Sequence, residues 1–214
     1  MNDSDVRFWN KTAPKYAASK ISDMAGFERT LTRTRELIPT GARVLELGCG
    51  TGTAASRLAD AAGQYLATDI SSAMIAIAEA KLQQPNDSEL SSRLEFRQAT
   101  ADTLAQEGVR FNVILGFNYL HLAGDLPTVL GQIRTLLAPG GLFISKTPCV
   151  GDMNRLIQLA IPLMRMVGKA PNVSVFTSQE LGQVLAEAGY TVIDNERHGS
   201  KKVDIRPFLV VRAD

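Results

Sequence analysis

The chain is poor in the residues that staple or metallate small domains. Its 214 residues contain two cysteines, Cys49 and Cys149, and two histidines, His121 and His198. If the cysteines end strands separated by one intervening strand, they lie about 10 Å apart, which exceeds disulfide reach. No Cys or His cluster has the spacing of a metal site, so no metal is expected. No apolar run approaches the roughly 18 residues of a membrane span, and Met1 to Lys15 is too polar for a secretory leader. The expected address is the cytoplasm. An excess of one charge is lacking as well: 23 Lys and Arg stand against 22 Asp and Glu, a formal +1, which advertises neither nucleic acid nor an acidic polymer as partner. Repeats and low-complexity tracts are missing too. One ordered, soluble domain over residues 1–214 is expected, within what a single core can serve.

One segment is rich where the rest is sparse. Val44-Leu45-Glu46-Leu47-Gly48-Cys49-Gly50-Thr51-Gly52 is an apolar strand ending in three glycines spaced every second residue. Glycine tolerates positive φ and lacks a Cβ, so the chain can turn at Gly48 and let a ligand lie on bare backbone beside Gly50 and Gly52. Cys49 serves there as small filler rather than as nucleophile. A dinucleotide fingerprint, Gly-x-Gly-x-x-Gly, needs its last glycine at position 53, where Thr53 stands. That spacing disfavours a nicotinamide dehydrogenase. With Glu46 two residues before the first glycine, the run resembles motif I of the class I S-adenosylmethionine-dependent methyltransferases.

A second acid extends the resemblance. Gln64 to Thr68 reads as a strand ending in Asp69, roughly 20 residues beyond the loop, where doubly wound nucleotide folds place a carboxylate for the ribose hydroxyls. Asp69-Ile70-Ser71-Ser72-Ala73-Met74 is similar to the family's run of an acid, a helix-capping serine and a Met beside the adenine. Asp69 also suits the cap of a helix from Ala73 to Lys81, and both roles occupy the same place. The resemblance implies S-adenosyl-L-methionine as cofactor, contacted by Glu46, Gly48, Cys49, Gly50, Gly52, Asp69, Ile70 and Met74, with Phe117 after the fourth strand. One departure concerns the adenine. The family often has an acid after the third strand, where this chain has Thr100. The Thr100 hydroxyl, the Ala101 amide and a displaced Asp102 are the alternatives.

The remaining pattern is a βαβ series. Strands are expected at Arg43 to Leu47, Gln64 to Thr68, Leu94 to Gln98, Asn112 to Gly116 and Gly141 to Thr147. Helices are expected at Gly52 to Ala62, Ala73 to Gln84 and Leu126 to Leu137. Leu137-Ala138-Pro139-Gly140-Gly141 turns a helix into the fifth strand and is similar to the family's Leu-x-Pro-Gly-Gly turn. Ser178 to Ala188 reads as a helix with Ser178 as N-cap, stopped by Gly189. Tyr190 to Asp194 and Val203 to Arg212 close the sheet. The expected class is therefore α/β, a doubly wound, mostly parallel sheet with helices on both faces. The resemblance implies seven strands in the order 3-2-1-4-5-7-6, the last two forming an antiparallel hairpin.

Two flanks carry what the core does not. In the N-terminal helical arm, residues 1–40, Trp9, Ala13 and Tyr16 resemble a Trp-x-x-x-Ala-x-x-Tyr segment that folds over the cofactor in several small-molecule methyltransferases. Tyr16 either faces the sulfonium or packs on the sheet edge. Between the fifth strand and Ser178, residues 148–177 form a lid-like insertion in which Met153, Leu156, Ile157, Ala160, Ile161, Met164 and Val167 recur at helical spacing. That stripe roofs an apolar substrate pocket, joins the core, or lies on a membrane surface. His121 is a catalytic candidate or a cap for the following loop, and His198, in a charged turn, is expected to be solvated. The reading is methyl transfer to a small, partly apolar acceptor by a monomer or homodimer. The alternatives are a protein or nucleic-acid target and a noncatalytic cofactor-binding domain.

Overall fold

The computed structural model describes residues 3–83, 92–154, 160–162, 164, 170–200 and 205–213. Helices α1 (Asp3–Ala17) and α2 (Met24–Leu37) precede β1 (Arg43–Leu47), after which α3 (Ala55–Leu58) runs into a short 3-10 turn at Ala59–Ala61. Then follow β2 (Gln64–Asp69), α4 (Ser72–Leu82), β3 (Leu94–Gln98), α5 (Ala101–Gln106), β4 (Phe111–Phe117), α6 (Leu126–Leu136), β5 (Leu137–Lys146), α7 (Ser178–Glu187), β6 (Tyr190–Glu196) and β7 (Phe208–Ala213). The strands form one sheet ordered β3-β2-β1-β4-β5-β7-β6. All neighbours are parallel except that β7 runs antiparallel to both β5 and β6. This is the architecture and the order expected.

The period of two along each strand splits the core between the faces. From β1, Leu45 and Leu47 join Ile114, Phe143 and Leu209 under α5, α6 and α7. Val44 faces the other way with Val113, Ile144 and Val210, under α2, α3 and α4. Strands covered on both sides read as near-continuous apolar runs, as Val44-Leu45-Glu46-Leu47 and Val113-Ile114-Leu115 do. Glu46 is the exception, 2 % exposed in the middle of that pattern. Its Oε2 accepts the Tyr65 hydroxyl at 2.7 Å, so one buried polar atom is matched by another.

Several boundaries differ from expectation for local reasons. The last helix begins one residue later than its cap: Thr177, not Ser178, is the N-cap, in a capping box with Glu180. Asp69 does not cap α4, because Ser71 does, accepting the Met74 N–H. The Pro139-Gly140-Gly141 turn lies inside β5, where pairing jumps from Phe111–Leu137 to Val113–Leu142. β7 starts at Phe208 rather than Val203, just after Pro207, which has no N–H for the ladder. Residues 201–204 lie outside the described residues. The N-terminal arm is two helices, and α2 with its cap is clamped to β6 and to the connection that follows it. Arg33 bonds Glu196 and Asp194, each at 2.6 Å, and Asp23 receives the Ser200 N–H and hydroxyl.

Candidate active site

The three glycines after β1 share positive φ, at 69°, 55° and 74° for Gly48, Gly50 and Gly52, yet each meets a different neighbour. A Cβ on Gly48 would fall 2.8 Å from the Tyr119 ring, and one on Gly52 only 2.6 Å from Phe96. At Gly50 the neighbour is Tyr16, at 3.4 Å. Gly52 thus serves packing of the loop on β3, while Gly48 and Gly50 line cavities. Asp69, at the tip of β2, holds this loop in place. Its Oδ2 accepts the Gly50 N–H at 3.0 Å and its Oδ1 the Ser71 N–H at 2.8 Å.

A cavity of about 280 Å³ opens over these groups, walled by Trp9, Tyr16, Leu47, Gly50, Asp69, Ile70, Met74, Thr100, Phe117 and His121 among others. Burial raises the Asp69 carboxyl from its usual value despite the amides that favour its ionised form. The arm closes one side of this cavity. Asn10 Oδ1 accepts the Ser71 hydroxyl at 2.7 Å and the Ala73 N–H at 3.2 Å, tying α1 to the start of α4. Trp9 and Tyr16 stack edge-on at 6.3 Å. Asn10, with no motif to flag it, is legible only once α1 and α4 are neighbours.

Tyr16, Gly48, Phe117 and Asn118 also border a second cavity of about 330 Å³ on the α2 side. Its wall includes Lys20, Asp23, Thr30, Glu46, Cys49, Lys146 and Arg206. Burial pushes the Glu46 carboxyl up to about 7 against the opposing Tyr65 hydrogen bond. The same burial raises the Cys49 thiol, which therefore remains unreactive. Cys49 and Cys149 are both free and buried. Behind Lys146 stands the largest departure from expectation: His198 is 4 % exposed, not solvated. Its ring packs at 4.4 Å on Phe208 and reaches Thr30 at 3.1 Å and Glu196 at 2.9 Å. Asn118, at the partition, is the one non-glycine residue with positive φ among the described residues, 51°. Its N–H donates to the Lys146 carbonyl at 2.7 Å.

Other candidates divide. His121 lines the first cavity, with Nδ1 2.9 Å from the Thr147 hydroxyl, and burial lowers its ring to about 4. Thr100 lines the cavity but spends its hydroxyl capping α5, in a box with Thr103. Ala101 and Asp102 are not brought to that cavity: Ala101 is buried, and Asp102 accepts from Gln132 at 3.1 Å. The described residues of the insertion line neither cavity. Met164 is 43 % exposed, and Leu156, Ile157 and Val167 of the stripe lie outside the described residues. The insertion borders the site elsewhere, through Ser174 N–H to the His121 carbonyl at 2.8 Å.

A sheet in this order, with an acid-and-glycine loop after β1 and a carboxylate closing on it from β2, defines the class I methyltransferase fold. A family model described as "Methyltransferase domain" matches residues 15–195, and the chain belongs to that family. Ubiquinone biosynthesis O-methyltransferase of Cereibacter sphaeroides is 29% identical over 162 residues, covering 73% of this chain and 63% of that protein. The namesake from Azorhizobium caulinodans is 31% identical over 163 residues, covering 72% and 60%. The chain thus spans about three fifths of the length of these curated relatives. Magnesium protoporphyrin IX methyltransferase from Synechocystis PCC 6803, crystallised with SAH, superposes with a TM-score of 0.72 at 15% identity, covering 98% of each chain. That likeness establishes the fold.

Proposed function

We propose that the protein transfers a methyl group from S-adenosyl-L-methionine to a small, partly apolar acceptor. The observation that carries this reading is the Asp69 carboxylate, fixed by the Gly50 and Ser71 amides at the wall of the cavity that Met74, Ile70 and Trp9 make apolar. A carboxylate held this way retains lone pairs for vicinal ribose hydroxyls. Ile70 and Met74 offer a flat apolar wall to the adenine, and bare backbone at Gly48 and Gly50 admits the ligand closely. When bound, the cofactor supplies an electrophilic methyl on a sulfonium, displaced in line by the acceptor. The chain's own part is alignment and exclusion of water. Tyr16 and Phe117 line both cavities. His121 is held neutral at pH 7 and positioned through Thr147. The family supports the reading, as does the balanced charge, which offers no field for nucleic acid. No described helix is long and apolar enough to cross a membrane; a cytoplasmic monomer or homodimer completes the reading.

Thermal unfolding with S-adenosylmethionine, S-adenosylhomocysteine and NAD tests the cofactor. A ligand bound only by the native state raises its melting temperature. Stabilisation by the first two and none by NAD is expected; the reverse would overturn the reading. A screen of small-molecule extracts with methyl-labelled cofactor then identifies the acceptor.

A further inference from the structure

We propose that the outward side of α1, together with the turn into α2, docks on an anionic lipid bilayer and brings the mouth of the second cavity to it. Three cations, Arg7, Lys11 and Lys15, recur at every fourth residue and are all exposed, so they line one side of the helix. The opposite side faces inward: Asp5 and Ala13 are buried, and Trp9 and Tyr16 line the cavities. Lys20 follows, exposed, in the turn after α1. None of these four cations has an ion-pair or hydrogen-bond partner for its side chain among the described residues. The nearby acids do not answer them. Asp5 is buried and accepts the Asn172 N–H at 3.1 Å, and Asp23 receives the Ser200 N–H and hydroxyl. Asp3, in the first turn of α1, is the one exposed acid between residues 3 and 22.

Charge alone would suit any polyanion, and the apolar residues beside it decide between them. Ile21 and Met24, 37 % and 52 % exposed, come directly after Lys20. Lys20 and Ile21 belong with Tyr16, Ala17 and Ser22 to the wall of the second cavity, so cation and apolar tip stand at its mouth. A bilayer offers a counterpart to each: anionic headgroups for the ammonium and guanidinium groups, and below them an acyl phase for the Ile21 and Met24 side chains. A nucleic-acid backbone offers only the first. The chain's formal charge of +1 is no obstacle, because a membrane surface is felt only within a Debye length, about 10 Å at 0.1 M salt, and so by the face turned to it. Each cation near such a surface strengthens binding roughly fivefold. Four of them give a reversible, salt-dependent attachment, which the apolar tip reinforces. The cavity mouth then opens at the phase into which a partly apolar acceptor partitions; that consequence, unlike the docking itself, rests on the function proposed above.

Co-sedimentation of the full chain with phosphatidylcholine vesicles, with and without about a third phosphatidylglycerol, tests the docking. Sedimentation with the anionic vesicles alone is expected, lost as salt is raised to about 1 M, where the Debye length falls to about 3 Å. The combined variant Arg7→Gln, Lys11→Gln, Lys15→Gln should weaken it about a hundredfold. Met24→Ser should weaken it a few-fold and leave its salt dependence in place. Both variants should keep the melting temperature and the S-adenosylhomocysteine affinity of the wild type. No binding to the anionic vesicles, equal binding to the neutral ones, or undiminished binding of the combined variant overturns the proposal. Binding to a DNA duplex as tight as to the anionic vesicles, and unaffected by Met24→Ser, would overturn the bilayer in favour of a general polyanion surface. Failure of S-adenosylhomocysteine to stabilise the protein in free solution would overturn the methyltransferase reading instead and leave the vesicle result standing.

Discussion

The two cavities that meet at Tyr16 are built from opposite materials. The first is walled by Trp9, Leu47, Ile70, Met74 and Leu122, with one carboxylate, Asp69. The second carries Lys20, Asp23, Lys146 and Arg206 around Glu46. An apolar cleft with one well-placed polar group suits a ligand whose bulk is buried and whose orientation needs a single anchor. The construction differs as well. Ends of adjacent parallel strands make most of the first, whereas the second needs α2, the end of β5 and the stretch before β7 to converge.

The glycine loop offers the sharpest way to separate ligand from packing. Gly50→Val should abolish binding of S-adenosylhomocysteine, raising its Kd by more than about a hundredfold, since positive φ and the 3.4 Å approach to Tyr16 leave no room for a branched side chain. Circular dichroism should remain native. Gly52→Ala strikes Phe96 and Ala78 instead, so its cost should appear in the unfolding midpoint, about 1 to 3 kcal/mol. If both variants lose stability and neither loses affinity, Gly50 is a packing residue like Gly52.

Asp69→Ala comes next: if its carboxylate holds the ribose as proposed, the loss of those charge-assisted hydrogen bonds should cost about 1.5 to 3 kcal/mol of cofactor affinity. Unchanged affinity by calorimetry in a folded variant would remove Asp69 from the site. Glu46 tests the charged cavity through pH. Its carboxyl titrates at about 7 when folded against 4.5 otherwise, so the protonated form is the one that folding favours. The stability this provides is complete below the unfolded value and is lost as pH rises through the folded one. From pH 6 to 8 the loss is about 1.4 kcal/mol. Urea unfolding of wild type and Glu46→Gln across that range should give a slope in the first that is missing in the second; parallel curves would show that Glu46 is ionised throughout.

How far the sequence revealed each cavity follows from how each is built. The strands, the loop and Asp69 were readable because each rests on a short local pattern, an apolar run, a glycine spacing, an acid at a strand end, whereas the strand order came only with the family resemblance those patterns carry. Lys146, Thr30 and His198 were not, because they lie more than 100 residues apart in the pairs that matter and belong to no motif. A histidine among Glu196, Arg197 and Lys201 reads as solvated when only its neighbours in sequence are considered. The Phe208 ring and Thr30 of α2 close over it and bury it. Asn10 failed to stand out for the same reason, since its partners Ser71 and Ala73 are 61 and 63 residues away. The Thr177 cap, by contrast, was legible from Thr177-x-x-Glu180 and was displaced by one residue through favouring the serine.

His121 is the smallest effect and the one that separates alignment from proton transfer. It belongs to the apolar cavity, and burial there lowers its ring from 6.5 to about 4. A depressed value means that folding favours the neutral ring. The stability it contributes is therefore present above 6.5 and lost as pH falls through 4. At neutral pH the ring is unprotonated but a weak base, and its Nδ1 is already engaged with the Thr147 hydroxyl. General-base assistance typically supplies 10² to 10⁴-fold when the base is matched to the operating pH, and this one is not. His121→Ala should therefore reduce turnover about tenfold or less, with cofactor affinity close to wild type. The check is kcat measured from pH 5.5 to 9 for both proteins, once an acceptor is in hand. A loss beyond a hundredfold, reversed at high pH where the acceptor is already deprotonated, would make His121 the base.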